Sequence, residues 1–284
     1  MNFTINSSST MSTLDSPSQA TPTSRISALV EIALPLLVAS LLGCHTSRPG
    51  SPAAQRHDAP MTLGAGVPLR YLVLGDSTAA GVGADYERGI VLETARHLAR
   101  SRRVVLLNLA VSGARFRDVL RDQLPRARGF EPDLVLLDVG ANDVTHLTSS
   151  RSVRRDLEEI LRSLLAENCE ARIAVTGSPD MGSPPRIPFF LRGIAAVGAR
   201  RINAIARRAV SVHDLTFAPI AQRTGPAFRR DRTLFAPDRF HPNARGYALW
   251  VPVLDEALDD ALANQPGHCS PRSRRPSNSR PREE

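Results

Sequence analysis

Between residues 70 and 262, apolar segments of strand length alternate with amphipathic segments of helix length. The apolar segments are near-continuous runs of Val, Leu and Ile, which is typical of strands buried on both faces of a parallel sheet. They lie at 70–76, 103–110, 133–140, 171–177 and 210–217. Apolar residues at helical spacing mark 88–101, 116–127, 152–168, 195–209 and 243–262. The alternation predicts an α/β fold in three layers, with helices on both faces of one sheet.

Polar groups collect where these predicted strands end. Ligands of doubly wound sheets bind beyond the carboxyl ends of the strands, so functional residues are expected there. Four segments meet this expectation: Gly75–Thr78, Ser112–Ala114, Gly140–Asp143 and Asp238–Pro242. The first three directly follow a strand, and the fourth lies between the last strand and the last helix.

The four segments hold the groups that acyl transfer to a serine requires. A serine hydroxyl is a weak nucleophile and needs a histidine base, whose second ring nitrogen needs an acidic partner. Ser77, His241 and Asp238 fit these roles, because a spacing of three residues lets the carboxylate reach Nδ1 and leaves Nε2 free. The oxyanion needs preorganised donors. The predicted donors are the backbone N–H groups of Ser77 and Gly113 and the side-chain amide of Asn142.

These segments, in this order, resemble the SGNH (GDSL) hydrolase family. GDST, NLAVSGAR, GANDVT and DRFHP are similar to its four sequence blocks, over a match from about residue 68 to 262. The resemblance implies a flavodoxin-like α/β/α sandwich whose five parallel strands lie in the order 2-1-3-4-5. It also implies hydrolysis of carboxylic esters through an acyl-enzyme on Ser77. Thr78 departs from the commoner GDSL, and the lack of a G-x-S-x-G motif disfavours the α/β-hydrolase fold.

Two other functions are compatible with the same residues. An acyltransferase would pass the acyl group to an alcohol instead of water, and a non-catalytic module at the cell envelope would bind an acylated glycan or lipid. The substrate of the hydrolase is expected to be a small-molecule, lipid or glycan ester. Residues 178–194, which are interrupted by Pro and Gly, follow the fourth strand on the ligand side. They are predicted either as a substrate-pocket loop or lid, or as a plain connection.

Composition argues against several other classes. The formal charge is +8, carried by Arg without any Lys. The charge is spread thinly and lacks interleaved aromatic residues, so no nucleic-acid partner is predicted. No Cys or His spacing suits a metal, so neither a metal nor a cofactor is expected. Cys169 and Cys269 either form a disulfide or stay as free thiols, and the chain is expected to be a monomer.

The N-terminal residues 1–44 form a Ser/Thr-rich leader that contains an apolar run at 32–43. The run ends in Leu-Leu-Gly-Cys at Cys44, which resembles the bacterial lipobox. We expect export to the cell envelope and membrane attachment through a lipidated Cys44. The alternative is an N-terminal helix packed on a cytoplasmic domain, and translation starting at Met11 would shorten the leader.

Composition also divides the rest of the chain. Residues 45–67 are predicted as a polar linker and residues 68–262 as the hydrolase domain. Residues 263–284 are predicted as a disordered tail, because they are rich in Arg, Pro and Ser and lack apolar periodicity.

Overall fold

A sheet of six strands forms the centre of the part of the chain that this computed structural model describes, namely Met1 and residues 59–264. The strands are β1 (Met61–Leu63), β2 (Val67–Gly75), β3 (Arg102–Asn108), β4 (Leu134–Asp138), β5 (Arg172–Val175) and β6 (Thr216–Phe217). Their order is β1-β3-β2-β4-β5-β6. All neighbours are parallel except β1, which is antiparallel to β3. Cys44 and the tail beyond residue 264 lie outside the described residues.

Helices cover both faces of the sheet. They are α1 (Ile90–Leu98), α2 (Phe116–Asp118), α3 (Leu124–Ala127), α4 (Ala141–Thr145), α5 (Ser150–Glu167), α6 (Arg192–Val212), α7 (Ile220–Arg230) and α8 (Ala244–Ala263). A π-helical turn, Val119–Gln123, joins α2 to α3. Short 3-10 turns lie at Tyr86–Arg88, Phe189–Leu191 and Arg232–Leu234. Residues 59–264 belong to one compact unit.

Two apolar clusters flank the sheet, because successive side chains of a strand point to opposite faces. Leu72 and Leu74 of β2 pack with α2 to α6, whereas Tyr71 and Val73 pack with α1, α7 and α8. All four side chains are fully buried. The three-layer α/β/α fold predicted from the sequence is confirmed, and strands β2 to β6 follow the predicted order.

The sheet has six strands where the sequence predicted five. The additional strand β1 lies inside the segment predicted as a linker and pairs Met61 to Leu63 with Leu106 to Val104. Its three residues are exposed or half-buried, so no apolar run marks it. As an antiparallel edge strand, β1 also corrects the prediction of an all-parallel sheet.

Two predictions about the last third of the domain are wrong in detail. Residues 210–212, predicted as the start of the fifth strand, complete α6, and only Thr216 and Phe217 form β6. Helix α7 was not predicted, because Gly225 and Pro226 lie inside it and both residues disfavour helix interiors. The segment around His241 therefore follows α7 and a 3-10 turn rather than a strand.

Two further observations concern residues outside the sheet. Cys169 is disulfide-bonded, while Cys44 and Cys269 lie outside the described residues. Within residues 59–264, no helix combines the length and apolar character that crossing a bilayer demands.

Candidate active site

Ser77 occupies a tight turn immediately after β2. Gly75, the last residue of β2, pairs with Asp138 of β4, and a Cβ atom on Gly75 would overlap the carbonyl oxygen of Asp138. The backbone then turns through hydrogen bonds from Val82 N to Ser77 O (2.9 Å) and from Ala80 N to Asp76 O (3.0 Å). This turn places Ser77 at the carboxyl edge of the sheet, where the sequence predicted it.

Ser77, His241 and Asp238 form one continuous line of hydrogen bonds. His241 Nε2 lies 2.8 Å from Ser77 Oγ, and His241 Nδ1 lies 2.5 Å from Asp238 Oδ2. A proton on Nδ1, donated to the carboxylate, leaves Nε2 as an acceptor for the serine hydroxyl. Ser77 is 6% exposed, so its side chain is largely shielded from solvent. The structure thus brings together the three residues that the sequence placed in a triad.

Asp238 is held in place by its own backbone turn. Its Oδ1 accepts hydrogen bonds from Phe240 N (2.9 Å) and His241 N (3.1 Å), which leaves Oδ2 for the imidazole. Burial opposes ionisation of this carboxyl, but the hydrogen bond and charge of His241 and the two N–H donors outweigh it and lower the pKa of Asp238. The carboxylate is therefore ionised beside His241 at neutral pH.

The turn that carries Ser77 packs directly against the segment that carries His241. Gly83 has a φ of +101°, and a Cβ atom there would overlap the carbonyl oxygen of Pro242. Tyr247 of α8 donates its hydroxyl to Val82 O at 2.5 Å and ties the same turn to the last helix. These contacts set the distance from the serine to the histidine. The sequence analysis did not predict the roles of Gly83 and Tyr247, because each of them contacts a residue more than 150 positions away in the chain.

Gly113 lies at the third position of a β-turn closed by a hydrogen bond from Ala114 N to Val111 O (3.0 Å). Its φ of +86° and the absence of a positive φ at Ser112 are typical of a type II turn, which favours glycine at this position. A Cβ atom on Gly113 would meet open space. Among the hydrogen bonds between described residues, none uses the backbone N–H of Gly113 or of Ser77.

Asn142 is buried between the Ser77 and Gly113 segments. Its Nδ2 donates to Ala114 O at 3.0 Å and lies 3.4 Å from Asp76 Oδ2. The amide thus contacts the residue after Gly113 and the residue before Ser77. The contact with Asp76 is the longer of the two.

Two buried carboxyls, Asp76 and Asp138, lie beneath Ser77 and share the hydroxyl of Thr78. Thr78 Oγ1 lies 3.0 Å from Asp76 Oδ1 and 2.6 Å from Asp138 Oδ2. One hydroxyl carries one hydrogen, so both contacts are favourable only when one carboxyl is itself a donor. Thr176 donates to the other oxygen of Asp138 at 2.8 Å. Thr78, which stands where the GDSL block has Leu, thus links the two carboxyls.

Burial is the main cause of the raised pKa values of Asp76 and Asp138. It raises the pKa of Asp76 to about 8, with the charge of Asp138 adding to the effect, and it also raises the pKa of Asp138. Hydrogen bonds from Thr78 act in the opposite direction but do not cancel the effect of burial. The pair therefore retains a proton at neutral pH, in agreement with the hydrogen count at Thr78.

Gln123 holds Gly75, the last residue of β2, through two hydrogen bonds to its backbone. Its Oε1 accepts from Gly75 N at 2.9 Å, and its Nε2 donates to Gly75 O at 2.8 Å. The side chain is 1% exposed. The sequence analysis missed this residue; a polar amide at an apolar position of the 116–127 helix was the signal available.

An apolar cleft adjoins Ser77 and His241. Its wall includes Pro179, Met181, Phe228, Phe235, Phe240 and Trp250. The first part of the 178–194 segment, through Pro184, belongs to this wall, so the pocket-loop prediction holds for that part. Asp180 on the wall is paired with Arg229 of α7 at 2.6 Å. Within the described residues, no cluster of His, Cys, Asp and Glu is placed to hold a metal ion.

Residues 73–249 match the GDSL-like Lipase/Acylhydrolase family. A relative from Mycobacterium tuberculosis (strain ATCC 25618 / H37Rv), GDSL-like esterase Rv1075c, is 31% identical over 248 residues. That match covers 81% of this chain and 78% of the relative.

Solved structures of similar architecture include a phospholipase A1 from Streptomyces albidoflavus NA297, with a TM-score of 0.54 and 20% identity over 66% of this chain and 99% of that one. The psychrotrophic esterase EstA from Pseudoalteromonas sp. gives a TM-score of 0.53 and 21% identity over 69% and 99%. At these identities the similarity establishes the fold.

Replacing Gln123 by Leu tests the clamp on Gly75. The Gln123→Leu variant keeps the volume of the side chain but leaves the buried Gly75 N–H without an acceptor, so we expect unfolding free energy to fall by about 2–4 kcal/mol. Urea denaturation measures this loss. Arg121→Leu, at an exposed neighbouring position, is the control. A loss no larger than that of the control would contradict the clamp.

The shared proton makes stability depend on pH. Because the folded pKa of the pair is raised above the ordinary 3.8, the folded state holds a proton that the unfolded chain has released. This contribution to stability is present at low pH and is lost as pH rises toward about 8. Asp138→Asn supplies an N–H to Thr78 at every pH, so we expect its unfolding free energy to decline less over this range.

Urea denaturation at a series of pH values compares Asp138→Asn with wild type and with Asp122→Asn. Asp122 is exposed, and its hydrogen bond with Arg121 lowers its pKa, so it is ionised in both states near neutral pH. The Asp122→Asn variant should therefore keep the wild-type slope in this range. An Asp138→Asn slope equal to that of wild type would show that the pair holds no extra proton.

Proposed function

The chain belongs to the GDSL-like lipase/acylhydrolase family and is a carboxylic ester hydrolase, and from this premise we propose that it works through an acyl-enzyme on Ser77. The observation that carries the proposal is the line of two hydrogen bonds from Ser77 Oγ through His241 to Asp238. In this arrangement the serine proton has an acceptor before any substrate arrives.

The first half of the reaction transfers the acyl group to the enzyme. His241 Nε2 takes the proton of Ser77 as Oγ attacks the ester carbonyl, which produces a tetrahedral intermediate and an imidazolium. The ionised Asp238, 2.5 Å from Nδ1, stabilises that imidazolium and holds the tautomer. The intermediate collapses when His241 returns the proton to the departing alcohol oxygen.

The oxyanion that forms in both halves needs donors beside Ser77. The N–H groups of Ser77 and Gly113 are suited to this role, because no acceptor within residues 59–264 occupies them. Asn142 is the third proposed donor, and it would exchange its long 3.4 Å contact with Asp76 for the oxyanion. Loss of one such donor typically costs about a hundred- to a thousandfold in rate.

The second half releases the acid. A water molecule takes the place of the alcohol, gives its proton to His241 and attacks the acyl carbon, and the proton then passes to Ser77 Oγ. The apolar wall formed by Met181, Phe228 and Trp250 favours an acyl group without charge. We expect short or medium acyl chains to occupy this cleft.

Ser77→Ala tests the nucleophile. We expect kcat on p-nitrophenyl butyrate to fall at least about a thousandfold, and labelling by a fluorophosphonate probe to be lost, because within residues 59–264 no other oxygen is paired with His241 Nε2. Ser183→Ala is a matched control, since Ser183 lines the same cleft but donates its hydroxyl to Asp180 O at 2.7 Å. Retention of labelling by Ser77→Ala, or its loss in Ser183→Ala, would overturn the assignment.

Met181 variants test the acyl cleft. Met181→Phe narrows the cleft and should lower the ratio of kcat/KM for p-nitrophenyl octanoate to kcat/KM for p-nitrophenyl acetate. Met181→Ala widens the cleft and should raise that ratio. Each methylene that gains or loses burial is worth about 0.8 kcal/mol, or roughly fourfold in kcat/KM. Met61→Ala, on the exposed edge strand, should leave the chain-length profile unchanged. Identical profiles in all three variants would place the acyl group elsewhere.

A further inference from the structure

Four large apolar side chains are exposed together where the 3-10 turn Phe189–Leu191 leads into α6. Phe189, Phe190, Ile194 and Val197 are 81%, 61%, 49% and 56% exposed. The two phenyl rings meet edge to face, with centroids 5.7 Å apart. We call these four residues the rim patch. Contiguous apolar surface of this kind is uncommon on soluble proteins and marks a contact surface.

The rim patch lies beside the active site. The preceding residues 179–184 line the cleft, and Arg186 N donates to Arg239 O at 2.9 Å, two residues from His241. Phe189 is three residues beyond Arg186, so their Cα atoms are at most about 11 Å apart. A ligand held at the patch is therefore close to the entrance of the Ser77 site.

The segment that carries the patch holds charged residues of a single sign. Residues 181–212 contain six Arg and no Asp or Glu. The outward face of α6 continues from Ile194 and Val197 to Arg200 and Arg201, all of which are exposed. Symmetric pairing with a second copy would bring these arginines against one another and is disfavoured, because like charges repel across an isologous interface. An anionic surface complements both the charge and the apolar tip.

We propose that the rim patch docks on an anionic lipid surface and presents ester lipids of that surface to the Ser77 site. The second clause rests on the proposed esterase function, whereas the docking does not. Phe189 and Phe190 would lie at the boundary between headgroups and acyl chains, where aromatic and aliphatic side chains of interfacial segments are buried. The arginines would contact the headgroup phosphates, with their aliphatic stems along the apolar patch.

Local insertion is measured with Phe189→Trp in the Ser77→Ala background, so that the lipid is not hydrolysed. Vesicles of phosphatidylglycerol with phosphatidylcholine brominated on its acyl chains quench only tryptophans that enter the bilayer. Emission of the Phe189→Trp variant should shift to the blue and lose intensity. Val67→Trp is the matched control, because Val67 is 73% exposed at the amino end of β2, whereas Ser77 follows the carboxyl end of the same strand. Trp250 is buried and contributes equally to both variants.

The electrostatic part is tested by Arg200→Gln with Arg201→Gln in the same background. Removing a surface arginine weakens attraction to anionic lipid by roughly fivefold, so the lipid concentration for half-maximal quenching should rise by that factor for each residue. Arg102→Gln with Arg103→Gln, at the amino end of β3, removes the same charge elsewhere and should have a much smaller effect. Phosphatidylcholine alone, or raised salt, should also weaken the quenching.

Activity separates docking from the esterase function. Phe189→Ser with Phe190→Ser should leave kcat/KM on soluble p-nitrophenyl butyrate unchanged and lower the hydrolysis rate of phosphatidylglycerol in vesicles at least several-fold. Quenching without any esterase activity would overturn the proposed function and leave the docking intact.

Other outcomes would overturn the docking itself. They are equal quenching of the Phe189→Trp and Val67→Trp variants, insensitivity to phosphatidylglycerol, or a dimer in solution that the Phe189→Ser and Phe190→Ser changes dissociate. A large loss of stability on changing Phe189→Ser and Phe190→Ser would show that the patch packs against other residues of the chain.

Discussion

The close approach of β2 to β4 at the carboxyl edge of the sheet is the contact on which the active site depends. Gly75 pairs with Asp138 so tightly that only a residue without a side chain fits. Gln123 binds both backbone groups of the same glycine from the opposite side. The serine that follows two residues later is therefore held by the sheet itself. In the proposed role of nucleophile, a serine held in this way needs little reorganisation when the substrate arrives.

The polar groups beneath Ser77 are costly to bury, and their hydrogen bonds fix the geometry of the turn. Asp76 and Asp138 are buried where a charge is costly, and they hold a proton through Thr78. Asp76 also faces the amide of Asn142, so the protonated pair is connected to a proposed oxyanion donor. Asp143 is a third buried carboxyl in this region; burial raises its pKa to about 6, and it accepts the backbone N–H of Phe116 at 3.1 Å.

The proposed recognition of substrate operates at two distances from Ser77. The cleft walled by Met181, Phe228 and Trp250 adjoins Ser77 and is the proposed site of the acyl chain. The rim patch is farther out and lies on the segment that continues from the cleft wall. The same segment 178–194 therefore contributes both to the pocket and to the surface through which substrates are proposed to enter. Its apolar outer residues carry no role in packing the core, since Phe189 and Phe190 are the most exposed aromatic side chains of the described chain.

The sequence alone indicated the parallel part of the sheet and, through the resemblance to the SGNH family, the order of β2 to β6; it also gave Ser77, Gly113, Asn142, Asp238 and His241 as candidate site residues. Strand-length apolar runs, helical periodicity and short motifs after strands are local signals, and each is legible within about ten residues. Only the tertiary structure decided the edge strand β1, the helix α7 and the contacts of Gln123, Thr78 and Tyr247. Helix α7 forms although Gly225 and Pro226 lie inside it, and the side-chain contacts depend on partners far along the chain: Gln123 is paired with a glycine 48 positions away and Tyr247 with a carbonyl 165 positions away. Hydrogen bonds over such separations leave no periodic pattern, because their energy depends on burial and distance in the folded chain and not on neighbouring residues.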